Sequence, residues 1–206
     1  MITIIDYGLG NPASIKNMLK KIGVNALITS RAEEIKIATK LILPGVGNFK
    51  EGIKNINYSG FREILNIKVL DEKTPILGIC LGMQLMTLRS EEGNEEGLGW
   101  INAETVEFHF NNKVNPKIPH FGWNYVMSKG ENRILVNYDM IPRFYFVHSY
   151  HVNCMDEDLE IGKTKYGIEF SSVINKNNIY GVQFHPEKSH KYGMQLLKNF
   201  AEIEWN

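Results

Sequence analysis

Along the first half of the chain, short apolar runs alternate with stretches whose apolar residues recur every three or four positions. Ile2 to Ile5 is the first run, ending at Asp6-Tyr7-Gly8-Leu9-Gly10. Ile15, Met18, Leu19 and Ile22 then give a helical spacing over Ser14 to Ile22, which Gly23 closes. Ala26 to Thr29 reads as a second strand, Glu33 to Ala38 as a weak helix, and Leu41 to Leu43 as a third strand entering Pro44-Gly45-Val46-Gly47. Another apolar run, from Pro75, enters Cys80 and leaves as a helical pattern. Strands alternating with helices at this pitch predict an α/β fold, a parallel sheet covered on both faces with its functional loops at the carboxyl ends of the strands.

Beyond about residue 100 the pattern becomes alternating and rich in β-formers. Thr105 to Phe110, Arg143 to Val147, Gly167 to Val173 and Asn178 to Phe184 read as antiparallel strands appended to the parallel core, and Tyr192 to Ile203 as a closing amphipathic helix. No repeat, low-complexity tract or linker divides the chain, so residues 1–206 are expected to form a single domain. That length buries a core without disulfides or metals.

Charge narrows the classes of partner. Lys+Arg and Asp+Glu both number 23, so no basic face is implied and nucleic acid is not an expected partner. The N-terminus lacks a signal peptide's charged and apolar regions, and no apolar run approaches the roughly 20 residues that span a bilayer. The expectation is a soluble cytoplasmic protein with no membrane contact. Its two cysteines, Cys80 and Cys154, form neither a framework nor a C-x-x-C pair. In a reducing compartment such a cysteine is a reagent rather than a staple.

The chemistry starts at Gly78-Ile79-Cys80-Leu81-Gly82. Small residues two before and two after a cysteine, between a strand and a helix, are the pattern of a nucleophile elbow. The elbow puts the sulfur at a helix N-terminus, where unpaired N–H groups and the helix dipole favour an anionic nucleophile. Gly181-Val182-Gln183-Phe184-His185-Pro186-Glu187 supplies what a cysteine lacks. Pro186 disfavours a helical His185, and in an extended segment residues two apart share a side, so Glu187 can orient one ring nitrogen while the other faces Cys80. Alone, a surface His-Pro-Glu turn explains the segment equally well; beside the glycine-flanked cysteine, the catalytic reading takes precedence. Attack on an amide also needs oxyanion donors. The Leu81 N–H follows the nucleophile, and Val46, between Gly45 and Gly47, can offer a second from the neighbouring strand end. By composition that loop is an ordinary glycine-rich turn; its expected neighbour, Cys80, makes it a candidate.

Leu43 to Gly47, Gly78 to Gln84, Ser90 to Gly93, Gly97 to Gly99, Ile118 to Asn124, Tyr145 to Tyr150 and Gly181 to Ser189 stand in an order that resembles the class I glutamine amidotransferases. More narrowly, Pro119-His120-Phe121-Gly122-Trp123-Asn124 and Tyr145 to Tyr150 are similar to the glutaminase subunits of imidazole glycerol phosphate synthases. The resemblance implies a flavodoxin-like parallel sheet flanked by helices with a small antiparallel β extension, and a Cys80-His185-Glu187 triad that hydrolyses glutamine to glutamate and ammonia. It assigns glutamine binding to Gly45, Gly47, Gln84, Glu92, Ser149 and Tyr150. It also implies docking on a (β/α)8-barrel synthase through Asn11, Pro119 and Trp123, with ammonia passed directly into the barrel, and needs no cofactor or metal. Taken singly, Gln84 reads as a polar residue in a first helical turn, Glu92 as a solvated charge, and Trp123 as core.

One departure is Pro12, where the family carries an aliphatic residue after the asparagine; it bears on the interface rather than the chemistry. A zinc site on His148, His151 and either His120 or His190 is disfavoured, because Phe144 to His151 reads as a strand in which three-apart residues face opposite sides. Three functions remain open: a histidine-pathway glutaminase, a paralogue feeding ammonia to a surface-polysaccharide sugar, and a stand-alone γ-glutamyl or peptide hydrolase.

Overall fold

The computed structural model describes residues 1–110 and 116–204. Its first half runs β1 (Ile2–Ile5), α1 (Pro12–Lys21), β2 (Ala26–Thr29), α2 (Ala32–Lys36), β3 (Leu41–Leu43), α3 (Phe49–Tyr58), α4 (Phe61–Asn66), β4 (Ile76–Ile79) and α5 (Leu81–Leu85). Two short strands follow, β5 (Arg89–Ser90) and β6 (Glu95–Glu96). Then come β7 (Ala103–Glu107), β8 (His120–Tyr125), β9 (Met127–Ser128), β10 (Arg143–His148), β11 (Tyr150–Cys154), β12 (Glu160–Tyr166), β13 (Ile168–Lys176), β14 (Ile179–Val182) and α6 (His190–Glu202).

Five strands pair in parallel in the order β2-β1-β3-β4-β14, the doubly wound arrangement of flavodoxin-like sheets. Beyond β14 the same sheet turns antiparallel through β13 and β11 to β7, and β12 and β9 pair outward from β13. A separate two-stranded ribbon, β8 with β10, runs from His120 opposite His148 to Tyr125 opposite Arg143.

The parallel strands read as unbroken apolar runs because both faces are covered. Their side chains alternate between two cores. Ile5, Leu41, Leu43 and Ile76 join Phe49, Ile53, Ile56, Phe61 and Leu65 from α3 and α4 on one face. Ile4, Ile42, Leu77 and Ile79 join Ile15 and Leu19 of α1 and Leu196 and Phe200 of α6 on the other. None of the helices formed by the described residues is long and apolar enough to cross a membrane.

Several bounds move for local reasons. α1 begins at Pro12 rather than Ser14, because the Asn11 side chain accepts from the Ser14 N–H at 3.4 Å and Pro12 takes the first helical position, where its missing N–H costs nothing. The departure at Pro12 is therefore a helix start. β13 runs on to Lys176 because β14 pairs with Val173–Lys176. The crossover helices α3 and α4 were not anticipated, although Asn48 caps α3 through the Glu51 N–H at 3.3 Å and Phe49, Ile53 and Ile56 carry the period.

The loop after β3 and the start of α5 are pressed together. A Cβ on Gly82 would lie 1.9 Å from the Leu43 carbonyl oxygen, and one on Gly45 would lie 2.7 Å from the Gly82 nitrogen. Neither neighbour is a flexible side chain. Gly82→Ala is therefore expected to cost about 3 kcal/mol of stability, the upper end for overpacking, read as a lower urea midpoint at unchanged slope; a midpoint equal to wild type would contradict this packing.

Candidate active site

Cys80 stands between β4 and α5 with φ 53° and ψ −110°. A non-glycine residue held there costs about 1–3 kcal/mol and persists only where its surroundings over-determine it. They do so here. Its N–H donates to the Val182 carbonyl at 2.8 Å, and its carbonyl accepts from Met83 N and Gln84 N at 3.1 and 3.2 Å. The sulfur, nearly buried, donates to the Val147 carbonyl at 3.9 Å and accepts from Gln183 Nε2 at 3.7 Å. Leu81 opens α5, so its N–H is among the donors that a helix start leaves without an internal acceptor.

His185 is extended, as Pro186 requires, but the chain does not stay so: Pro186–Lys188 forms a single 3-10 turn. That turn, rather than strand alternation, brings Glu187 back. Its Oε1 lies 2.8 Å from His185 Nδ1, and both side chains are 1% exposed. The backbone of His185 is fixed by its N–H donating to the Tyr145 carbonyl at 2.9 Å and its carbonyl accepting from Ser189 Oγ at 2.6 Å. Nε2 is buried and makes no well-formed hydrogen bond, and Cys80 lies close enough to act on the charge of the ring. Burial disfavours the imidazolium, but Cys80 and Glu187 together outweigh burial and push the His185 pKa up to about 10.

A cavity of about 280 Å³ opens over the sulfur. Its wall gathers Val46, Gly47, Cys80, Leu81, Gln84, Glu92, Pro119, Val147, His148, Ser149 and Tyr150 from five separated segments. Gly45 lies beneath, packed on Leu81 and Gly82, and the Pro44 carbonyl accepts from Tyr7 Oη at 2.7 Å. Burial first and Cys80 second push the Tyr7 phenol up, keeping it a neutral donor. Glu92 is not a free surface charge: its Oε2 accepts from the Phe49 N–H at 2.7 Å, tying the start of α3 to the cavity rim. Gln84 spends both N–H groups inward, on the Tyr150 carbonyl at 2.9 Å and Gln183 Oε1 at 3.1 Å, so it offers a ligand an acceptor only.

Trp123 is not core. With Phe121 and Tyr125 it lies on the exposed face of β8, stacked at 5.7 Å on His190 with the Arg143 guanidinium 5.5 Å over its ring. Asn11 caps α1 just after Gly10, where a Cβ would lie 3.1 Å from Gly45 N, so its loop abuts the Pro44–Gly47 turn. The strand reading of Phe144 to His151 is corrected. It breaks at Ser149, and His148 and His151 both pack on Phe108, at 5.3 and 4.7 Å between ring centroids. Among the described residues no three His, Cys, Asp or Glu side chains group as a metal site, and His120 Nδ1 instead bonds His148 Nε2 at 2.9 Å. Cys154 is half-buried and free, its thiol pushed up to about 11 by burial. Gln183 was not singled out, although a lone amide in an otherwise apolar strand end, two residues before His185, is a readable signal.

An elbow cysteine, a buried His–Glu pair and a flavodoxin-like sheet meet in one family whose sequence profile, glutamine amidotransferase class-I, matches residues 3–203. The chain belongs to the class I glutamine amidotransferases. A solved structure described as a glutamine amidotransferase superposes with a TM-score of 0.74 over 98% of this chain and 97% of that one at 18% identity, a likeness of fold alone. Within the family, the chain is 58% identical to the imidazole glycerol phosphate synthase subunit HisH 2 of Methanococcus maripaludis, over 98% of this chain and 99% of that protein. It is 47% identical to the HisH 2 of Pseudomonas aeruginosa and 46% to the HisH 1 of the same Methanococcus, in each case over 98% of this chain and all of the relative.

A raised histidine pKa stabilises the fold fully below the unfolded value of 6.5, and that contribution is lost as pH rises through about 10. In Glu187→Gln the His185 titration, followed by NMR, is expected to move down from about 10 toward 6.5. The stability gap to wild type should be present near neutral pH and close above pH 10. An unmoved titration would remove Glu187 from this role.

Proposed function

We propose that this chain is the glutaminase subunit of an imidazole glycerol phosphate synthase, releasing ammonia from glutamine for a synthase partner in histidine biosynthesis. The observation that carries the reading is the convergence of Cys80, Gln84, Glu92, Ser149 and Tyr150 on one cavity with the His185–Glu187 pair buried behind it. Glutamine sits with its α-ammonium toward Glu92 and its carboxamide over the sulfur. Cys80 attacks the carboxamide carbon as the thiolate, its proton already held on His185 by the raised pKa there, and the oxyanion is met by the N–H groups of Leu81 and Val46. His185 then gives that proton to the departing nitrogen, which leaves as ammonia. Water, deprotonated by His185, opens the thioester to glutamate and returns the cysteine.

The partner in this reading is a (β/α)8 barrel that seats on Asn11, Pro119 and the Trp123 face and receives ammonia before it meets solvent. Pro119 supports this, since it belongs both to the cavity wall and to the turn into β8. The glycines around Val46 suit a peptide that donates to the oxyanion only once the partner is seated and loaded. Losing one such donor costs about 10²- to 10³-fold, so the free chain is slow.

A second reading keeps the chemistry and changes the acceptor, with ammonia amidating a surface-polysaccharide sugar. What favours it is that the chain is 58% identical to one of two HisH copies in Methanococcus maripaludis and 46% to the other, two copies inviting two acceptors.

Glutamate release is the deciding assay, on purified chain alone and with its cognate barrel subunit. Activity is expected to rise about 10²-fold or more with the loaded partner and to fall at least about 10³-fold in Cys80→Ala. Full activity in the free chain would sink the gating, and turnover untouched by Cys80→Ala would sink the triad. Growth of a histidine auxotroph lacking this subunit, when supplied with the chain, separates the two acceptors: restoration supports the first reading and failure, with glutaminase intact, the second.

A further inference from the structure

A series of hydrogen bonds runs from the exposed ribbon to the nucleophile, and the atoms fix the direction of every donor. The Tyr150 carbonyl can only accept, so His148 Nδ1, 2.8 Å away, carries the proton. His148 Nε2 is then a lone pair, and His120 Nδ1 at 2.9 Å is its donor. His120 Nε2 in turn accepts from Asn124 Nδ2 at 3.2 Å, and that amide also donates to the Lys165 carbonyl at 3.0 Å. On the other side, the Tyr150 carbonyl takes Gln84 Nε2, whose second hydrogen turns the Gln183 amide so that its own N–H groups face the Cys80 sulfur.

Both imidazoles are therefore neutral Nδ1–H tautomers. Burial alone holds His120 down at about 4 and, with the bond to Tyr150 acting against it, keeps His148 well below its ordinary value. Packing does not call for imidazoles here. His120 is stacked between Phe146 at 4.6 Å and Tyr166 at 3.9 Å, and His148 lies 5.3 Å from both Phe108 and Phe170, so an apolar ring would fill either place. Burying polar rings is costly unless each nitrogen is bonded, and here all four are. What histidine supplies at these sites is direction.

We propose that His120 and His148 are positioning residues for glutamine hydrolysis, the neutral pair setting the Tyr150 carbonyl and, through Gln84 and Gln183, the hydrogen bond to the Cys80 sulfur. This rests on the glutaminase reading above. His120 and Asn124 are inward residues of β8, whose outward residues are Phe121, Trp123 and Tyr125, so the relay ties the seating of that strand to the nucleophile.

The test uses the full chain with its barrel partner. His148→Asn can stand its side-chain amide where Nδ1 was and keep the donor to Tyr150, whereas His148→Leu fills the space and loses both bonds. In wild type, ¹H–¹⁵N spectra should show both rings as Nδ1–H tautomers with slowly exchanging protons. His148→Leu should lower kcat/KM for glutamine about 10- to 100-fold, the range for an unmade buried hydrogen bond. It should also change Cys80 alkylation by iodoacetamide, resolved from Cys154 by peptide mass spectrometry, about fivefold or more. His148→Asn should return both to within about twofold of wild type. An Nε2–H tautomer on His148, wild-type rates in His148→Leu, or equal losses in the two variants would each overturn the proposal. The spectra and the alkylation need no glutamine turnover, so a wild type without glutaminase activity sinks the functional reading while they still decide the relay.

Discussion

The Leu43 carbonyl oxygen occupies the space that any side chain at position 82 would need, and the site is assembled around that contact. With the end of β3 lying directly on the first turn of α5, the Pro44–Gly47 loop has one place to go, across Leu81 and Gly82. Tyr7 then holds the Pro44 carbonyl from below, and Glu92 holds the Phe49 N–H just beyond the loop. The two main-chain donors proposed for the oxyanion are thus brought to one wall by backbone meeting backbone. Donors that stabilise developing charge work best when nothing has to reorganise as the charge appears. A contact with no side chain in it fixes the Leu81 side of that wall in advance, while Val46, between two glycines, keeps the freedom to turn its peptide.

Around this frame the electrostatics are sparse. Apart from the His185–Glu187 pair, the buried polar side chains about the sulfur include Gln183, Gln84, Tyr7 and His148, and the two of these that titrate, Tyr7 and His148, are both held neutral. Against that background the His185–Glu187 pair stands alone, with Cys80 as its neighbour. A buried charge in low dielectric is costly unless it is paired, and once paired it dominates its surroundings. The same desolvation that makes His148 a fixed donor is outweighed at His185 by two partners. Two histidines beside one cavity are therefore set oppositely, one held charged and the other neutral.

How much of this was legible in the chain differed from segment to segment. The parallel core was readable because its strands are covered on both faces and appear as unbroken apolar runs, and Ala26–Thr29 and Leu41–Leu43 fall where the pattern put them. The elbow was readable because its geometry needs small residues at fixed offsets. The approach of Glu187 to His185 was expected for a reason that proved incomplete, since a 3-10 turn and not strand alternation closes the pair. His148 and His151 defeated the period-2 rule because the chain changes sheets at Ser149. Gln183 was readable as a lone amide but its partner was not, and the imidazole pair was illegible altogether, because no local spacing records a bond between residues that are 28 or 99 positions apart.

The break at Ser149 also gives the proposed coupling between the surface and the buried site its route. The β8–β10 ribbon presents aromatic rings outward, yet the Tyr145 carbonyl of its second strand accepts from the His185 N–H, and the chain then crosses, through Ser149, into the strand whose Tyr150 carbonyl accepts from Gln84 and His148. The His185 backbone and the Tyr150 side of the cavity thus hang from one continuous stretch of chain, held by hydrogen bonds worth about 0.5–1.5 kcal/mol each. Three such bonds moved together are worth about one to three factors of ten in an equilibrium, at about 1.4 kcal/mol for each. Under the docking proposed for the Trp123 face, a partner that shifts the ribbon need therefore supply only a small part of its binding energy to change how the cavity is set.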